Sequence, residues 1–306
     1  MADKLRFVVA LLDEAQEFQR HQAADARAVA AQLDVDLEVV FAENNAIFQI
    51  QQLYRVIRSK PHAILVESVA GEGLERLARA AAAAGIGWLL INRNVSYCDA
   101  LRREYPALPI GTISTDQLEI GRIQGRQFRA LLPNGGRVLY VEGPPDTSAA
   151  RQRLQGAQET LAGSKVELTV VEGQWTEASG TTAVERWLRL KRDLDVIGCQ
   201  NDMMAIGAGH ALAAAASSSA ADSRLVPRTG VDGLPDGGQR LVRMGQLAAT
   251  VVVPSNTGPG LHALAQFFRS GARFAAETLL LPKSFPEVSE LAKPGAARGS
   301  RASSAG

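Results

Sequence analysis

Two cysteines and four histidines in 306 residues leave little room for thiol or metal chemistry. Cys98 and Cys199 cannot build a disulfide framework. Neither they nor His21, His62, His210 and His262 fall into a metal-ligand spacing, so no metal and no cofactor is expected. Charge of one sign is also missing. The formal net charge is +1, so no global field draws the chain to nucleic acid or to an anionic membrane surface. No apolar run reaches the ~18 residues that a membrane-spanning helix requires, which excludes membrane insertion. There is no G-x-x-x-x-G-K-[ST] phosphate loop, no G-x-S-x-G elbow and no paired-histidine site. Nothing in the chain therefore points to an enzyme.

What is present is an ordinary globular composition, 46% hydrophobic and 21% charged. At roughly 150 residues per domain, 306 residues predict two domains, each large enough to build a core without disulfides. Near the N-terminus, Lys4 and Arg6 precede a short apolar run from Phe7. Asp13 and Glu14 end it without a small-residue cleavage site, so it reads as a core strand rather than a secretory leader. Either the chain is cytoplasmic, with Met1 its true start, or a leader has been removed.

Short apolar runs alternate with helical spacing along the whole chain. The strands are expected at Leu5–Leu12, Asp36–Phe41, His62–Glu67, Gly85–Asn92, Ile110–Ser114, Arg137–Val141, Glu167–Val171, Leu194–Gln200, Thr229–Asp232 and Ala248–Val252. Alternation of this kind predicts α/β architecture with doubly wound parallel sheets. The second half repeats the scheme of the first, which favours two smaller sheets over one of ten strands. Ser217–Ser223 reads as a polar loop. From Lys293 the composition is low in complexity, and 291–306 is expected to be a disordered tail.

Ligands of parallel sheets bind at the carboxyl ends of the strands, so the residues there are the candidates. Gln16 and Phe18 follow the first strand. Glu67 ends the third, and Asn92 and Arg93 end the fourth. The sixth leads to Thr147 or Ser148 as a helix N-cap, with Arg151 and Arg153 in the first turns. Trp175 follows the seventh, Asn201 the eighth, and Asp232 ends the ninth. Taken alone, Phe18 reads more readily as a core or surface residue of an amphipathic helix, while Trp175 reads equally as a packing residue and the polar tips as solvated loops. Together, however, they offer aromatic faces beside carboxylates, amides and arginines, the mixture a sugar site needs. Paired carboxylates could also serve a glycosidase, but arginine-rich tips favour holding a ligand over hydrolysing one. The pair Gly207-x-Gly209 lies inside a helix and reads as close helix packing.

Four segments then carry a resemblance. Asn201-Asp202-Met203-Met204-Ala205-Ile206-Gly207-Ala208, Gly230-Val231-Asp232-Gly233-Leu234-Pro235-Asp236-Gly237, Gly245-Gln246-Leu247-Ala248-Ala249-Thr250 and the helix opening at Thr147–Arg153 resemble motifs of the type I periplasmic binding proteins. The ribose-binding kind is the most similar, and the sugar-binding cores of lactose-repressor-type regulators share the fold. The resemblance covers roughly residues 5–288. It implies two similar lobes joined by a three-stranded hinge, with crossings near Ser114–Asp116, Val252–Pro254 and Leu281–Phe285. The first lobe would be 1–115 plus 254–282, and the second 116–253 plus 283–290.

It further implies a monomeric, non-catalytic solute receptor of an ABC-type importer, periplasmic once a leader is removed. The ligand would be a monosaccharide or polyol held between the lobes by Gln16, Phe18, Glu67, Asn92, Arg93, Arg153, Trp175, Asn201 and Asp232. The partner would be a membrane permease or, in an alternative reading, a signalling sensor. A regulator core lacking its DNA-binding domain is a further alternative, although no basic recognition helix precedes the first strand, so nucleic acid is not an expected partner. Four positions depart from the family pattern. Gln19 stands where a second aromatic is usual, Glu67 replaces the commoner Asn, Asn92 the commoner Asp, and Val253 the usual Gln.

Overall fold

The structure is a computed structural model and describes residues 4–92, 95–190, 193–218 and 226–292. The chain divides into two compact units. The first runs to Asp116 and takes in Pro254–Leu280; the second is Gln117–Val253 and the chain from Leu281. Leu281 and Pro282 thus group with the second unit and Asp116 with the first, the reverse of what the resemblance implied for these three residues.

In the first unit the order is β1 (Arg6–Leu11), α1 (Glu17–Gln32), β2 (Asp36–Phe41), α2 (Ala46–Arg58), β3 (Ala63–Val66), a 3-10 turn, α3 (Glu75–Ala83), β4 (Gly87–Ile91), α4 (Tyr97–Glu104) and β5 (Ile110–Thr115). The second unit continues with α5 (Gln117–Leu131), β6 (Gly136–Glu142), α6 (Ser148–Leu161), β7 (Val166–Glu172), α7 (Glu177–Arg189), β8 (Val196–Cys199), α8 (Asp202–Ser218), β9 (Arg228–Asp232), α9 (Gly238–Arg243) and β10 (Ala249–Val252). Then α10 (Thr257–Ser270) and β11 (Glu277–Leu280) return to the first unit, and β12 (Lys283–Phe285) and α11 (Val288–Leu291) to the second.

The first sheet has the order β11-β5-β4-β3-β1-β2, and the second β12-β10-β9-β8-β6-β7. Each is the same doubly wound arrangement, and every pairing is parallel except β12, which runs antiparallel to β10. The ten expected strands are all present, with ends shifted by at most two residues. The short edge strands β11 and β12 add to them; their pairing is decided by distant chain. The expected disordered tail begins too early: Leu291 closes α11 and is buried. Residues 293–306 lie outside the described residues, as does the part of the expected polar loop beyond Ser218. Among the described residues no helix is long and apolar enough to cross a membrane.

Period-two alternation explains why the first sheet is covered on both faces. In β1, Val8 and Ala10 face one core and Phe7, Val9 and Leu11 the other. In β4, Trp88 and Leu90 face the first core, and Leu89 and Ile91 the second. The first core is closed by Leu53 and Val56 of α2 and Leu77 and Ala81 of α3, the second by Ala26 and Val29 of α1 and Leu261 and Leu264 of α10. A strand apolar at every position has no wet face, which is the signature of a parallel sheet between helix layers. The second unit repeats this. Leu139 and Val141 of β6 meet α7 and α8, while Val138 and Tyr140 meet Phe128 of α5 and Ala157 of α6.

The helix pairs of the second unit touch backbone to backbone. A Cβ on Gly156 of α6 would stand 2.1 Å from the Leu118 carbonyl oxygen of α5. One on Gly207 of α8 would stand 2.0 Å from the Glu177 carbonyl oxygen of α7, so Gly207 is a close-packing glycine, as its place inside a helix implied. Because the clash is with backbone, Gly156→Ala must separate α5 from α6 and should cost about 1–3 kcal/mol. The exposed neighbour Gln158→Ala should stay within about 0.5 kcal/mol of the parent. Urea denaturation midpoints of the two variants check this.

Candidate functional site

The winding order places a topological switch between β1 and β3 in the first unit and between β6 and β8 in the second. At such a point the connecting loops diverge and leave strand ends uncovered by crossovers. The described candidate residues gather at these carboxyl edges.

In the first unit, Gln16 is the extended residue before α1 and is half-buried, and Phe18 in the first turn is buried. Glu67, just past β3, is 1% exposed. An ionised carboxylate at that depth requires donors, and the unit supplies them. Gln19 Nε2 donates to Glu67 Oε2 at 3.0 Å, and Asn92 Nδ2 donates to Glu67 Oε1 at 2.9 Å. The main chain is held as well: Gln49 Nε2 donates to the Glu67 carbonyl at 2.7 Å, and Gln49 Oε1 accepts from Val69 N–H at 3.0 Å. Asn92 has a positive φ of 55°, a conformation that Asn tolerates better than most residues. Arg93 lies outside the described residues.

In the second unit the centre is Arg153, 4% exposed on α6. Its Nε donates to Gln117 Oε1 at 2.8 Å, its Nη1 donates to the Gln200 carbonyl, and its guanidinium lies 5.5 Å from the centre of the Trp175 ring. Trp175 sits at a φ of 61°. Its ring rests on Gly143, where a Cβ would come within 2.0 Å of it. Asn201 ties this loop to the next helix: Nδ2 donates to the Trp175 carbonyl at 2.8 Å, and Oδ1 accepts from Met204 N–H at 2.9 Å. Gln200 joins the tip of β6 to α6, its Oε1 accepting from Gly143 N–H and its Nε2 donating to the Ala150 carbonyl, both at 3.0 Å. Thr147 caps α6 by accepting from Ala150 N–H, which makes it, and not Ser148, the N-cap. Asp232 ends β9 at a φ of 109°. Asp202 holds the turn that follows, accepting from Gly233 N–H at 2.8 Å and from Thr250 Oγ1–H at 2.7 Å.

Each unit therefore brings its own candidates to one edge. Glu67 and Asn92 are bonded to each other in the first, and Arg153, Trp175 and Asn201 form one connected group in the second. Three of them, Asn92, Trp175 and Asp232, are non-glycine residues at positive φ. Such strain persists only where the surroundings enforce it, and it concentrates at ligand-binding positions. The arrangement is suited to fixed polar contacts and ring stacking. Among the described residues no three His, Cys, Asp or Glu side chains stand where a metal ion could be held. Burial pushes the Cys98 thiol up to about 12, and that of Cys199 higher still, which leaves both as thiols rather than nucleophilic thiolates at neutral pH.

The model of the periplasmic binding protein domain matches residues 7–257. The chain belongs to this family. Among its relatives is a putative rhizopine-binding protein of Rhizobium meliloti, 28% identical over 188 residues, which cover 60% of this chain and 59% of that protein. The ribose import binding protein of Salmonella typhimurium is 26% identical over 231 residues, 75% of this chain and 73% of that one. A solved structure of the Caulobacter myo-inositol binding protein bound to myo-inositol superposes with a TM-score of 0.82 at 23% identity, covering 97% of this chain and 98% of that chain; at that identity the likeness is one of fold.

Sequence reasoning did not find the amides that hold the site. Gln49, Gln117 and Gln200 are buried, yet glutamine is ordinary on a helix or at a strand end, and only its tertiary neighbours reveal its task. Gln19 was visible as a departure from the family pattern, though its bond to Glu67 was not. Asp202 was visible within a motif, though not as the residue that holds the turn at Gly233.

One feature of the second edge is unfavourable. Glu142 and Glu172 are register partners at the ends of β6 and β7, and like charges directly opposite repel. Burial, and then the charge of Glu172, raises the Glu142 carboxyl above its ordinary value. The folded chain therefore holds that proton more tightly than the unfolded chain does, so this group's contribution to stability falls as pH rises through the carboxylate range. Glu172→Gln should raise the melting midpoint at neutral pH and lose that advantage at a pH low enough to protonate both groups. Paired thermal melts across pH check it.

Proposed function

We propose that the chain is a non-catalytic solute receptor that binds a monosaccharide or related polyol and presents it to an ABC-type importer. Carboxyl-edge groups of each unit engage the ligand: Phe18, Glu67, Asn92 and Arg93 with Gln16 in the first, and Arg153, Trp175, Asn201 and Asp232 in the second. The observation that carries this reading is the Arg153–Trp175 pair. A guanidinium fixed by Gln117 and Gln200 and laid against an indole offers planar donors for hydroxyl oxygens beside an apolar face for a ring. The relatives support the class by what their names state, rhizopine, ribose and, for an Escherichia coli protein, D-allose. The family supports a periplasmic location and a membrane permease as partner. Non-catalysis is supported by the family and by the shielded thiols, and holding a ligand requires no group to change its protonation state.

A thermal-shift screen against pentoses, hexoses, inositols, amino acids and nucleosides tests the reading. A ligand that binds only the folded state at a hundred times its Kd adds about 2.7 kcal/mol of stability, so one sugar or inositol should raise the midpoint by several degrees. A shift with an amino acid or nucleoside and none with any polyol overturns the substrate class. With the responding polyol, Trp175→Ala should weaken binding by about 1–3 kcal/mol. Arg153→Ala should weaken it at least as much, because the Gln117 and Gln200 oxygens lose their donor. Isothermal titration calorimetry gives both values.

A further inference from the structure

We propose that Gln19 is a positioning residue for ligand recognition: it sets the direction of the Glu67 carboxylate, and the fixed carboxylate selects ligands that meet it with hydroxyl donors. This inference rests on the polyol reading above and deepens it.

The geometry leaves the carboxylate little choice of orientation. Its two oxygens accept from two amides on different elements, Gln19 on α1 and Asn92 after β4. Rotation of the carboxyl plane breaks both bonds together. Gln19 cannot turn over either. Its Oε1 accepts from Leu12 N–H at 3.1 Å, so a flipped amide would set its NH2 against that N–H and its oxygen against the carboxylate, and both contacts would repel. Gln49 holds the main chain on both sides of Ser68, so the Cα of Glu67 is fixed as well as its end group. Gln19, Gln49, Glu67 and Asn92 are all buried, and every bond among them is made within the first unit. That is preorganisation, which spares the ligand the cost of ordering the side chain.

An ionised carboxylate only accepts hydrogen bonds. A ligand group meeting this corner must therefore donate, as ring hydroxyls do and as ether, carbonyl and carboxylate oxygens do not. Three of the four departures from the family pattern, at positions 19, 67 and 92, turn out to be one bonded cluster. They act as a single change: where an aromatic face is usual, the first unit has an amide that supports an acid.

The test is a set of variants titrated with D-ribose, D-allose and myo-inositol by calorimetry, alongside the urea midpoint of each without ligand. Gln19→Leu and Glu67→Gln should each raise Kd by about 10- to 100-fold, the size expected from losing a hydrogen bond to a charged group. The double variant Q19E/E67Q exchanges the two end groups. Its acid at 19 accepts from Leu12 N–H and from the new amide at 67, whose oxygen still accepts from Asn92, so all three bonds return. Its urea midpoint should recover toward wild type, but its Kd should stay within about threefold of Glu67→Gln, because the acid now lies at 19 and no carboxylate at 67 meets the ligand. A wild-type Kd in Gln19→Leu, or wild-type affinity in the double variant, overturns the inference while leaving the functional reading intact. If the wild-type protein binds none of the three and no polyol of the thermal-shift panel, the functional reading fails and the inference fails with it. Should Gln19→Leu not fold, the Kd of Q19E/E67Q against wild type decides alone.

Discussion

A charge taken out of water has to be answered by hydrogen bonds, and the two carboxyl edges of this protein are organised around that demand. Glu67 imposes it on the first unit and Arg153 on the second, each almost fully buried. Loss of one partner of such a group leaves an uncompensated charge, a far greater cost than the group contributes when satisfied. The consequence is visible in the neighbours. Buried amides, otherwise expensive to place in a core, surround each charge: Gln19, Gln49 and Asn92 around Glu67, and Gln117 and Gln200 around Arg153. A network of this kind is valuable only when complete, and a complete network is rigid.

Rigidity at the edge is inherited from the layers beneath. Both sheets are buried on both faces, so strand ends cannot shift without disturbing two cores. In the second unit, α5 and α6 meet through the glycines at 121 and 156, where an added Cβ would strike backbone. Because Arg153 lies on α6 and Gln117 at the start of α5, the contact that fixes the helices also fixes the guanidinium. The strained backbone at Asn92, Trp175 and Asp232 fits the same picture. Asn201 holds the carbonyl of Trp175, and Asp202 holds the turn directly after Asp232. Two consecutive residues of one motif thus support two separate site positions.

Much of the fold is legible in the amino-acid sequence alone. The strands are readable because a parallel strand between two helix layers is apolar at every position, and runs such as Ala63–Val66 and Gly87–Ile91 admit no other reading once helical spacing flanks them. The two-unit organisation follows from the repeated pattern, and the candidate site from the rule that parallel sheets bind at their carboxyl edges. Less is legible where partners are remote. The edge strand β11 pairs with β5 about 165 residues earlier in sequence, and no local pattern announces such a pairing. The helix at Tyr97–Glu104 is also hidden, since its two turns are too short to show a clear period.

By itself the sequence determined the α/β class, the count and order of the main strands, the duplication, and which residues stand at the strand ends. These are consequences of local periodicity and chain order. The tertiary structure decided what those residues do to one another. That Glu67 is held by Gln19 and Asn92, that Asn201 supports Trp175 and that Gly143 makes room for its ring are facts about atoms tens of residues apart, brought within 3 Å or so by the winding of the sheet. A hydrogen bond depends on distance and direction in space, and neither is encoded in the spacing of letters along the chain.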